Sequence, residues 1–498
     1  MPLAQLAPDI VAPVVNFKAV CPEIAMAVAG LILLLVAAFG PSVRAGVFKA
    51  LSLAGIAVAG GLTAWIWTGH TVAFSRMIAS DGVAMYARAI LLSVAALVVL
   101  MAGGEDDGKQ SRGEFYSLVV LSVTGMMLLA ASADLVMVFV ALELLSLCLY
   151  VLAGFTLERS ASQESALKYF LLGAFSSAFF IYGVALTYGA TGSTNIAVIS
   201  SVAATVSSPR LLLAGLALLG VGFSFKVAAA PFHMWIPDVY QGAPTSVTAL
   251  MASGTKVAAF AAFLRVFVGG FGGLVLDWRP VLWVLAVLTM LVGAVLGVVQ
   301  TDLKRLLAYS SIAHAGYILI GVVAASRAGI GASLYYLLAY ALTVIGAFAV
   351  VARLERAEHK SEARLSISGG FVSLSDLAGL GARQPVLAGL LTLFLLSLAG
   401  IPPTSGFVSK FTVFSAAVDS GQTGLVVIGV ATSVVAAFYY LKVIVMMFMQ
   451  PGPDQASPRP TAAGLAAVLG ITAAATVFLG VLPGWVLEAA RSAARFLG

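Results

Sequence analysis

The stretch LLLAGLALLGVGFSFKVAAAPFHMWIPD, residues 211–238, joins an apolar run of membrane-spanning length to a lysine and a proline. About 20 apolar residues cross the roughly 30 Å hydrocarbon layer of a bilayer, and residues 211–232 reach that length. Lys226 lies five residues before Pro231, which removes a helix hydrogen bond. Such a break is tolerated within a membrane only against protein or water. The stretch therefore predicts a broken membrane-spanning helix inside a bundle.

Apolar runs of similar length recur along nearly the whole chain. Of its 498 residues 61% are hydrophobic and only 10% are charged, too few charges to keep the surface of a soluble protein hydrated. We predict one all-α, polytopic membrane domain with no separate soluble domain. The 14 predicted spans have approximate cores at residues 22–40, 47–67, 82–102, 115–131, 134–154, 165–190, 211–232, 244–268, 278–298, 304–325, 333–353, 386–416, 424–448 and 462–482.

The net charge of +6 comes from basic residues near helix ends, which indicates membrane orientation and not nucleic-acid binding. Loops after odd-numbered spans carry 14 Lys and Arg residues, and the opposite side carries nine. Because basic residues favour the cytoplasmic side, we predict a bacterial inner-membrane protein with both termini in the periplasm. Five of the tryptophans, including Trp65 and Trp67, would then lie near the outer interface.

Residues that bind metals or redox cofactors are sparse. Cys21 and Cys148 form no CxxC pair, and the four histidines form no metal-ligand cluster in the sequence. No P-loop or Gly-rich βαβ pattern is present, and GGFGG at residues 269–273 is best interpreted as a flexible turn. We therefore expect no cofactor or metal to be bound by this chain and no redox active site in it.

Five ionisable residues lie where the apolar runs predict membrane interior: Glu143, Lys226, Lys256, His314 and Lys410. A charged residue at the bilayer centre costs about 2.5 kcal/mol or more, so such residues usually have a function. Four of them lie nine residues from a polar helix end, namely Glu143 from Asp134, Lys256 from Arg265, His314 from Arg305 and Lys410 from Asp419. At 1.5 Å per residue this spacing places them roughly 13–14 Å deep. The pattern predicts a midplane row, as a proton relay requires.

Simpler interpretations exist for single residues. Glu143 is the candidate partner of Lys226, and such a buried pair also fits a purely structural role. His314 alone fits a hydrogen-bonded packing role. Lys442 lies eight residues from Gln450 and could reach the interface. The group Asp302, Lys304 and Arg305 is most simply a solvated interfacial cluster.

A second break, LSLAGIPPTSGFVSKF at residues 396–411, places Pro402 and Pro403 ahead of Lys410. The broken helices are the seventh and twelfth predicted spans, so the spans divide into two five-helix units at 115–268 and 278–449. They are flanked by three helices in 1–114 and one in 460–498. A unit of five spans starts on one side of the membrane and ends on the other. The second unit therefore starts on the opposite side from the first and must be inverted in the membrane. The match is imperfect, since the proline follows the lysine in one unit and precedes it in the other.

Three motifs closely resemble one family: PFHMWIPDVYQGAPTSVTALMASGTKVAAF (231–260), DLKRLLAYSSIAHAGY (302–317) and LAGIPPTSGFVSKF (398–411). They are similar to the antiporter-like, Mrp-related membrane subunits of proton-pumping NADH:quinone oxidoreductase, respiratory complex I. Within this family, the segment VYQGAPTSVT is closest in sequence to the subunit N type. This resemblance implies 14 helices with two inverted five-helix repeats. It also implies a proton relay through Glu143, Lys226, Lys256 and Lys410, with His314 as an intermediate and His233 and Asp238 near the cytoplasmic mouth.

The same resemblance implies a subunit of a translocase whose NADH, FMN, iron–sulfur clusters and quinone belong to other subunits. Expected partners are the antiporter-like subunit M, the small membrane subunits of complex I and the lipid bilayer. Two other functions share these motifs. One is an Mrp-type cation/proton antiporter subunit without redox coupling, and the other is a structural subunit of the membrane arm that pumps nothing.

Overall fold

The structure is a computed structural model that describes residues 15–40, 43–102, 112–358, 372–452 and 461–496. Nineteen α-helices occur in these residues. The first ten are α1 (Cys21–Phe39), α2 (Ala45–Trp65), α3 (Gly82–Met101), α4 (Arg112–Ala131), α5 (Leu135–Ala153), α6 (Ser160–Thr191), α7 (Ile196–Val202), α8 (Pro209–Val227), α9 (Trp235–Gly242) and α10 (Thr245–Phe263). The remaining nine are α11 (Val275–Val298), α12 (Leu303–Val323), α13 (Arg327–Glu358), α14 (Leu380–Arg383), α15 (Pro385–Ala399), α16 (Ser405–Asp419), α17 (Thr423–Met449), α18 (Ala463–Val481) and α19 (Gly484–Ala493).

Each of the 14 predicted spans corresponds to a helix in this bundle. Thirteen continuous helices are long and apolar enough to cross a membrane. The one remaining predicted span, the twelfth at residues 386–416, is divided between α15 and α16, which confirms the second break. The first break is also present, because α8 ends at Val227 and α9 begins at Trp235. The prediction of an all-α, polytopic membrane fold with two broken helices is confirmed.

One small element differs from the prediction. Strands β1 (Thr71–Ala73) and β2 (Ile78–Ser80) form an antiparallel hairpin between α2 and α3. Three-residue strands are too short for the alternating pattern by which a half-buried strand is normally predicted. The end of the bundle that carries this hairpin is called the hairpin end below, and the end that carries α9 and α14 is called the distal end.

The centre of the bundle is occupied by α10, in which every residue from Thr245 to Phe263 is buried. It packs against α3, α4, α8 and α13. The peripheral helices instead leave large apolar side chains exposed, among them Leu31, Phe175, Val281 and Val434. An apolar outer surface around a packed interior is the arrangement expected of helices whose solvent is lipid.

Two backbone bridges near helix starts occur at corresponding places in the two halves. Asp134, at the N-cap of α5, pairs with Asn195, and Asp302, at the N-cap of α12, pairs with Ser373. Each bridge is flanked by two backbone hydrogen bonds of 2.8–3.0 Å in the same pattern. In each half the bridge joins the start of the second predicted helix of the unit to the loop after the third. This correspondence favours the predicted repeat, whose boundaries remain a prediction.

Candidate functional site

The first lysine of the predicted row lies at the end of a broken helix. Lys226 is in the last turn of α8 and is only 4% exposed. Its Nζ donates a hydrogen bond of 2.6 Å to Ser146 Oγ on α5 and lies 5.6 Å from the ring centre of Tyr169. The carbonyl end of a helix carries partial negative charge, so the end of α8 is a favourable location for an ammonium group.

Glu143 does not contact Lys226 directly. It lies three residues before Ser146 on α5, is half-buried, and accepts a hydrogen bond from Ser177 on α6. Among the described residues no ion pair joins it to Lys226. A cavity lined by both Ser177 and Lys226 has about 10 Å³ open to the centre of a water molecule, which is room for roughly one water. The predicted pair is therefore separated by Ser146 and by this cavity.

Lys256 lies near the middle of the bundle on α10 and is 1% exposed. Its Nζ donates a hydrogen bond to the backbone carbonyl oxygen of Ser311 on α12. It also lies 5.3 Å from the ring centre of Tyr340 on α13. No carboxylate pairs with it among the described residues. The ammonium group of Lys256 is thus stabilised by the carbonyl oxygen of Ser311 and the aromatic face of Tyr340. The sequence had predicted that Lys256 is buried but not what it contacts.

His314 makes polar contacts through both ring nitrogens. Nδ1 lies 2.7 Å from the Tyr336 hydroxyl, and Nε2 lies 3.5 Å from the Tyr440 hydroxyl. The Tyr440 hydroxyl in turn lies 2.5 Å from Ser310 Oγ. The Tyr340 ring packs against the imidazole, with 4.9 Å between ring centres. His314 therefore belongs to a buried polar network.

Lys410 belongs to the second broken helix. Its Nζ donates hydrogen bonds to Ser433 Oγ at 2.6 Å and to the carbonyl oxygen of Ala399 at 2.9 Å. Ala399 is the last residue of α15, where backbone carbonyls lack partners within the helix. The ammonium also lies 4.7 Å from the ring centre of Tyr317. Both halves thus hold a lysine at the carbonyl end of a half-helix.

The structure brings Lys256 of the first five-helix unit and His314 and Lys410 of the second into one continuous row. Tyr340 contacts both Lys256 and His314, and Tyr317 contacts both His314 and Lys410. Lys226 and Glu143 form a separate group with Ser146, and no direct polar contact joins that group to Lys256 among the described residues. The sequence analysis placed the ionisable groups but missed the serines and tyrosines between them. These residues are uncharged and frequent in apolar helices, so nothing in one sequence marks them.

Several buried hydroxyls in this layer have no hydrogen-bond partner within the described part of the chain. They belong to Tyr169, Ser224, Ser311, Tyr317 and Tyr340. Buried polar groups are nearly always hydrogen-bonded, to protein or to ordered water. Their concentration beside the lysines is the pattern expected where water molecules complete a hydrogen-bonded chain.

Comparison with known proteins identifies the family. A family described as "NADH:quinone oxidoreductase/Mrp antiporter, TM" matches residues 132–436, more than half of the chain. The NADH-quinone oxidoreductase subunit N of Trichlorobacter lovleyi is 43% identical over 97% of this chain and 98% of its own length. The chain belongs to the NADH-quinone oxidoreductase subunit N family. The resemblance noted at residues 231–260, 302–317 and 398–411 is thereby confirmed.

Solved structures agree with this membership. A chain of respiratory complex I from Thermus thermophilus is 38% identical, with a TM-score of 0.79 over 94% of this chain and 98% of that chain. A chain of the Mrp complex from Dietzia sp. DQ12-45-1b has a TM-score of 0.82 over 96% of this chain and 97% of that chain. At 23% identity the second likeness concerns the fold alone.

Within this subunit N family member, Asp238 on α9 joins elements of both halves at the distal end. Its carboxylate accepts hydrogen bonds of 2.7 Å from Lys168 on α6 and 2.6 Å from Arg305 on α12. Burial raises the pKa of Asp238, but the hydrogen bonds and charges of Lys168 and Arg305 outweigh burial and hold that pKa below its ordinary value. His233 lies in the segment between α8 and α9, where burial lowers its pKa.

The interpretation of Asp302, Lys304 and Arg305 as a solvated cluster is wrong for two of the three. Lys304 is 1% exposed and donates hydrogen bonds to the Ala243 carbonyl at 2.8 Å and Thr245 Oγ1 at 3.1 Å. It also pairs with Glu355 at 3.5 Å. Asp302 is also buried, and its side chain caps α12 by accepting a hydrogen bond from the backbone N–H of Arg305. Tertiary packing against α10 and α13 covers these side chains, which a helix end in the sequence does not reveal.

Lys442 of this subunit N chain lies in a less enclosed environment than the lysines of the predicted row. Lys442, on α17, is half-exposed and makes no hydrogen bond or ion pair with the residues that the structure describes. It therefore differs from Lys226, Lys256 and Lys410, which are buried. No group of three or more His, Cys, Asp or Glu residues that could hold a metal ion occurs in the described ranges.

Proposed function

We propose that this chain is a proton-translocating membrane-arm subunit of an NADH:quinone oxidoreductase. The observation that carries the proposal is the buried layer in which Lys256, His314 and Lys410 are joined through Tyr340 and Tyr317. An intramembrane row of ionisable groups is the arrangement that proton relays require. The membership in the subunit N family agrees with this function.

The proposed relay begins with Glu143 and Lys226. Because Ser146 and a cavity for one water separate them, a proton can pass between them only through a hydroxyl or a water. A change in hydration or charge at Glu143 would alter the field at Lys226, and Lys226 would release or take up a proton in response. We propose that quinone reduction in a neighbouring subunit supplies that change.

The second part of the relay runs from Lys256 through His314 to Lys410. The imidazole can accept a proton on one nitrogen and release one from the other, and it has a tyrosine hydroxyl at each. The unpartnered hydroxyls of Ser311, Tyr317 and Tyr340 would bind the bridging waters. Moving one charge against 100 mV costs about 2.3 kcal/mol, which the redox reaction would supply.

The partners follow from the surface around Glu143. This half-buried carboxylate and the half-buried Ser177 border an outer face of α5 and α6 that is otherwise apolar, with Val140, Leu147 and Phe175 exposed. A carboxylate at this depth is unfavourable against lipid. We propose that another membrane-arm subunit covers this face, and that NADH, FMN, iron–sulfur clusters and quinone are bound by other subunits of the complex.

The orientation of the chain also belongs to this proposal. The distribution of basic residues favours an orientation with the distal end in the cytoplasm and the hairpin end in the periplasm of a bacterial inner membrane. Trp65 and Trp67 are exposed at the hairpin end, as expected of an interfacial aromatic belt. Asp238, Lys168 and Arg305 would then lie at the cytoplasmic mouth.

A second candidate is an Mrp-type antiporter subunit, because the description of the matching family also covers Mrp antiporters. Sodium-dependent proton transport in vesicles without NADH would support that candidate. NADH-dependent proton transport that is insensitive to sodium would support the complex I function. A purely structural subunit would leave the pumping stoichiometry unchanged after neutralisation of Glu143, Lys226 and Lys410 together.

The deciding experiment compares wild type, Lys226→Ala and Lys442→Ala in membrane vesicles. NADH-driven electron transfer, proton uptake and the amount of assembled complex are measured together. We expect Lys226→Ala to lose most of both activities with the complex still assembled, and Lys442→Ala to remain close to wild type. Loss of assembly would assign Lys226 a structural role, and full activity would contradict its place in the relay.

A further inference from the structure

A group of buried hydroxyls extends from His314 towards the distal end of the bundle. His314 Nε2 lies 3.5 Å from the Tyr440 hydroxyl, which lies 2.5 Å from Ser310 Oγ. The Tyr440 hydroxyl also accepts a hydrogen bond of 3.3 Å from the hydroxyl of Tyr439. Ser310, Tyr439 and Tyr440 are at most 1% exposed, and we call them the tyrosine branch. The relay proposed above makes no use of Tyr439.

The direction of the tyrosine branch follows from the helices that carry it. Ser310 lies four residues closer than His314 to the distal start of α12, which is about 6 Å at 1.5 Å per residue. Tyr439 lies against Gly297 in the last turn of α11, because a Cβ added to Gly297 would be 2.7 Å from Tyr439 Cε1. Since α11 ends where α12 begins, both observations place the branch between His314 and the distal end.

The polar surface of the distal end is close to Tyr439. Gln300 follows Gly297 by three residues, roughly 5 Å at the helical rise, and it is partly exposed. Its amide oxygen accepts a hydrogen bond of 3.4 Å from Arg305 Nε, and Arg305 also donates to Asp238. One or two water molecules would therefore be enough to connect this surface with the Tyr439 hydroxyl.

The contacts of the tyrosine branch are suited to proton transfer. Ser253, on α10, donates to a carbonyl oxygen of its own helix, whereas the Ser310 hydroxyl meets Tyr440 on α17. A hydroxyl is both a donor and an acceptor, so it can pass one proton on while it takes up another. The Tyr440 hydroxyl lies between the imidazole and the Tyr439 hydroxyl, as such a transfer requires.

We propose that the tyrosine branch is a second proton-uptake path, which connects water at Gln300 with His314 without passing through Lys226. Tyr440 gives its hydroxyl proton to His314 Nε2 as it takes one from Tyr439, and water reprotonates Tyr439. The net change is one proton gained by the imidazole. This proposal rests on the proposed function and orientation of the chain, and it gives the second five-helix unit its own access to the cytoplasmic side.

The first test asks whether water reaches Tyr439 and does not depend on turnover. The assembled complex is exposed to brief X-ray radiolysis, which oxidises side chains next to bound water, and oxidised peptides are quantified by mass spectrometry. Tyr335 is the matched control, because it is equally buried and its hydroxyl donates to the Leu479 carbonyl oxygen. We expect Tyr439 to be oxidised at least about fivefold faster than Tyr335. Gly297→Leu, which fills the gap beside Tyr439, should remove this difference.

The second test measures the protons taken up per electron pair by vesicles that carry Tyr439→Phe or Tyr335→Phe. We expect Tyr439→Phe to lower this ratio with the complex still assembled, and Tyr335→Phe to leave it unchanged. A wild-type ratio in Tyr439→Phe, or oxidation of Tyr439 no faster than that of Tyr335, would overturn the second path. If Lys226→Ala loses pumping while Tyr439→Phe retains it, the tyrosine branch alone is refuted. Unchanged pumping in Lys226→Ala would instead contradict the proposed function.

Discussion

Lys410 Nζ lies 2.9 Å from the carbonyl oxygen of Ala399, the last residue of the half-helix α15. The lysine belongs to the following half-helix, α16, and reaches back to the one before it. In the first half, Lys226 occupies the last turn of α8 itself. The opposite order of lysine and proline in the two sequences therefore leads to the same outcome, an ammonium group at the carbonyl end of a broken helix.

The first prediction concerns Gly400, which follows Ala399 with φ of +86°. A Cβ at this position would lie 2.9 Å from Lys410 Cδ, and a side chain is disfavoured at this φ. Gly400→Ala is expected to displace the Lys410 side chain and so to reduce proton pumping severalfold, although Lys410 itself is unchanged. Gly389→Ala on α15 is the control, because a Cβ there meets nothing within 4 Å. Wild-type pumping by assembled Gly400→Ala complex would contradict the role of this contact.

The second prediction concerns the hydroxyl of Tyr340, which has no partner among the described residues. Tyr340→Phe keeps the ring between Lys256 and His314 and removes only the hydroxyl. If that hydroxyl binds a bridging water, pumping should fall several-fold with assembly unchanged. Tyr86→Phe removes another unpartnered buried hydroxyl, on α3, and should have no effect on pumping. Equal activity of the two variants would mean that Tyr340 serves only packing.

The third prediction concerns Ser146, the hydroxyl acceptor of Lys226 at 2.6 Å. A hydrogen bond to a charged group contributes about 1.5–3 kcal/mol, so Ser146→Ala should disturb the charged state of Lys226. We expect reduced electron transfer and pumping, both measured in vesicles. Ser253→Ala on α10 removes a hydroxyl that bonds only within its own helix and is the matched control. A Ser146→Ala complex as active as the control would remove Ser146 from the relay.

The fourth prediction concerns pH and His233. Burial lowers the pKa of His233 below the unfolded value of about 6.5. The unfolded chain therefore binds more protons than the folded chain in the window below that value, and stability rises with pH there. The contribution of His233 is fully present above about pH 6.5 and is lost as pH falls through the folded pKa. Thermal unfolding from pH 7.5 to 5 should show a smaller loss on acidification for His233→Gln than for wild type, whereas parallel curves would refute this account.

The fifth prediction concerns the buried pair of Arg88 and Glu23. Arg88 Nε donates to Glu23 Oε1 at 2.6 Å, and the two side chains are 0% and 3% exposed. Arg88→Met would leave Glu23 unpaired and should destabilise the subunit by about 3–5 kcal/mol. The double variant Arg88→Met with Glu23→Gln should recover most of that loss. Thermal stability of the purified complex measures both, and equal losses in the single and double variants would argue against an unpaired charge as the cause.

The membrane architecture could be predicted closely from sequence because its causes are local. Each apolar run of about 20 residues must form its own backbone hydrogen bonds in lipid, so run lengths predict helices such as α3 and α10. Prolines predicted the breaks for a similar reason, since Pro231 and Pro402 remove helix hydrogen bonds wherever they occur. The insertion cost of single charges likewise identified Lys226, Lys256 and Lys410 without any knowledge of their neighbours.

The sequence by itself thus determined which segments are helices, where two of them break and that Lys226, Lys256, His314 and Lys410 are buried. Only the tertiary structure decided what those groups contact. It placed Ser146 against Lys226 in place of Glu143, and it joined Lys256 to His314 through Tyr340. Contacts between helices depend on how each helix is rotated and inclined against its neighbours. That geometry is set by the packing of many side chains at once, and no single residue or local pattern records it.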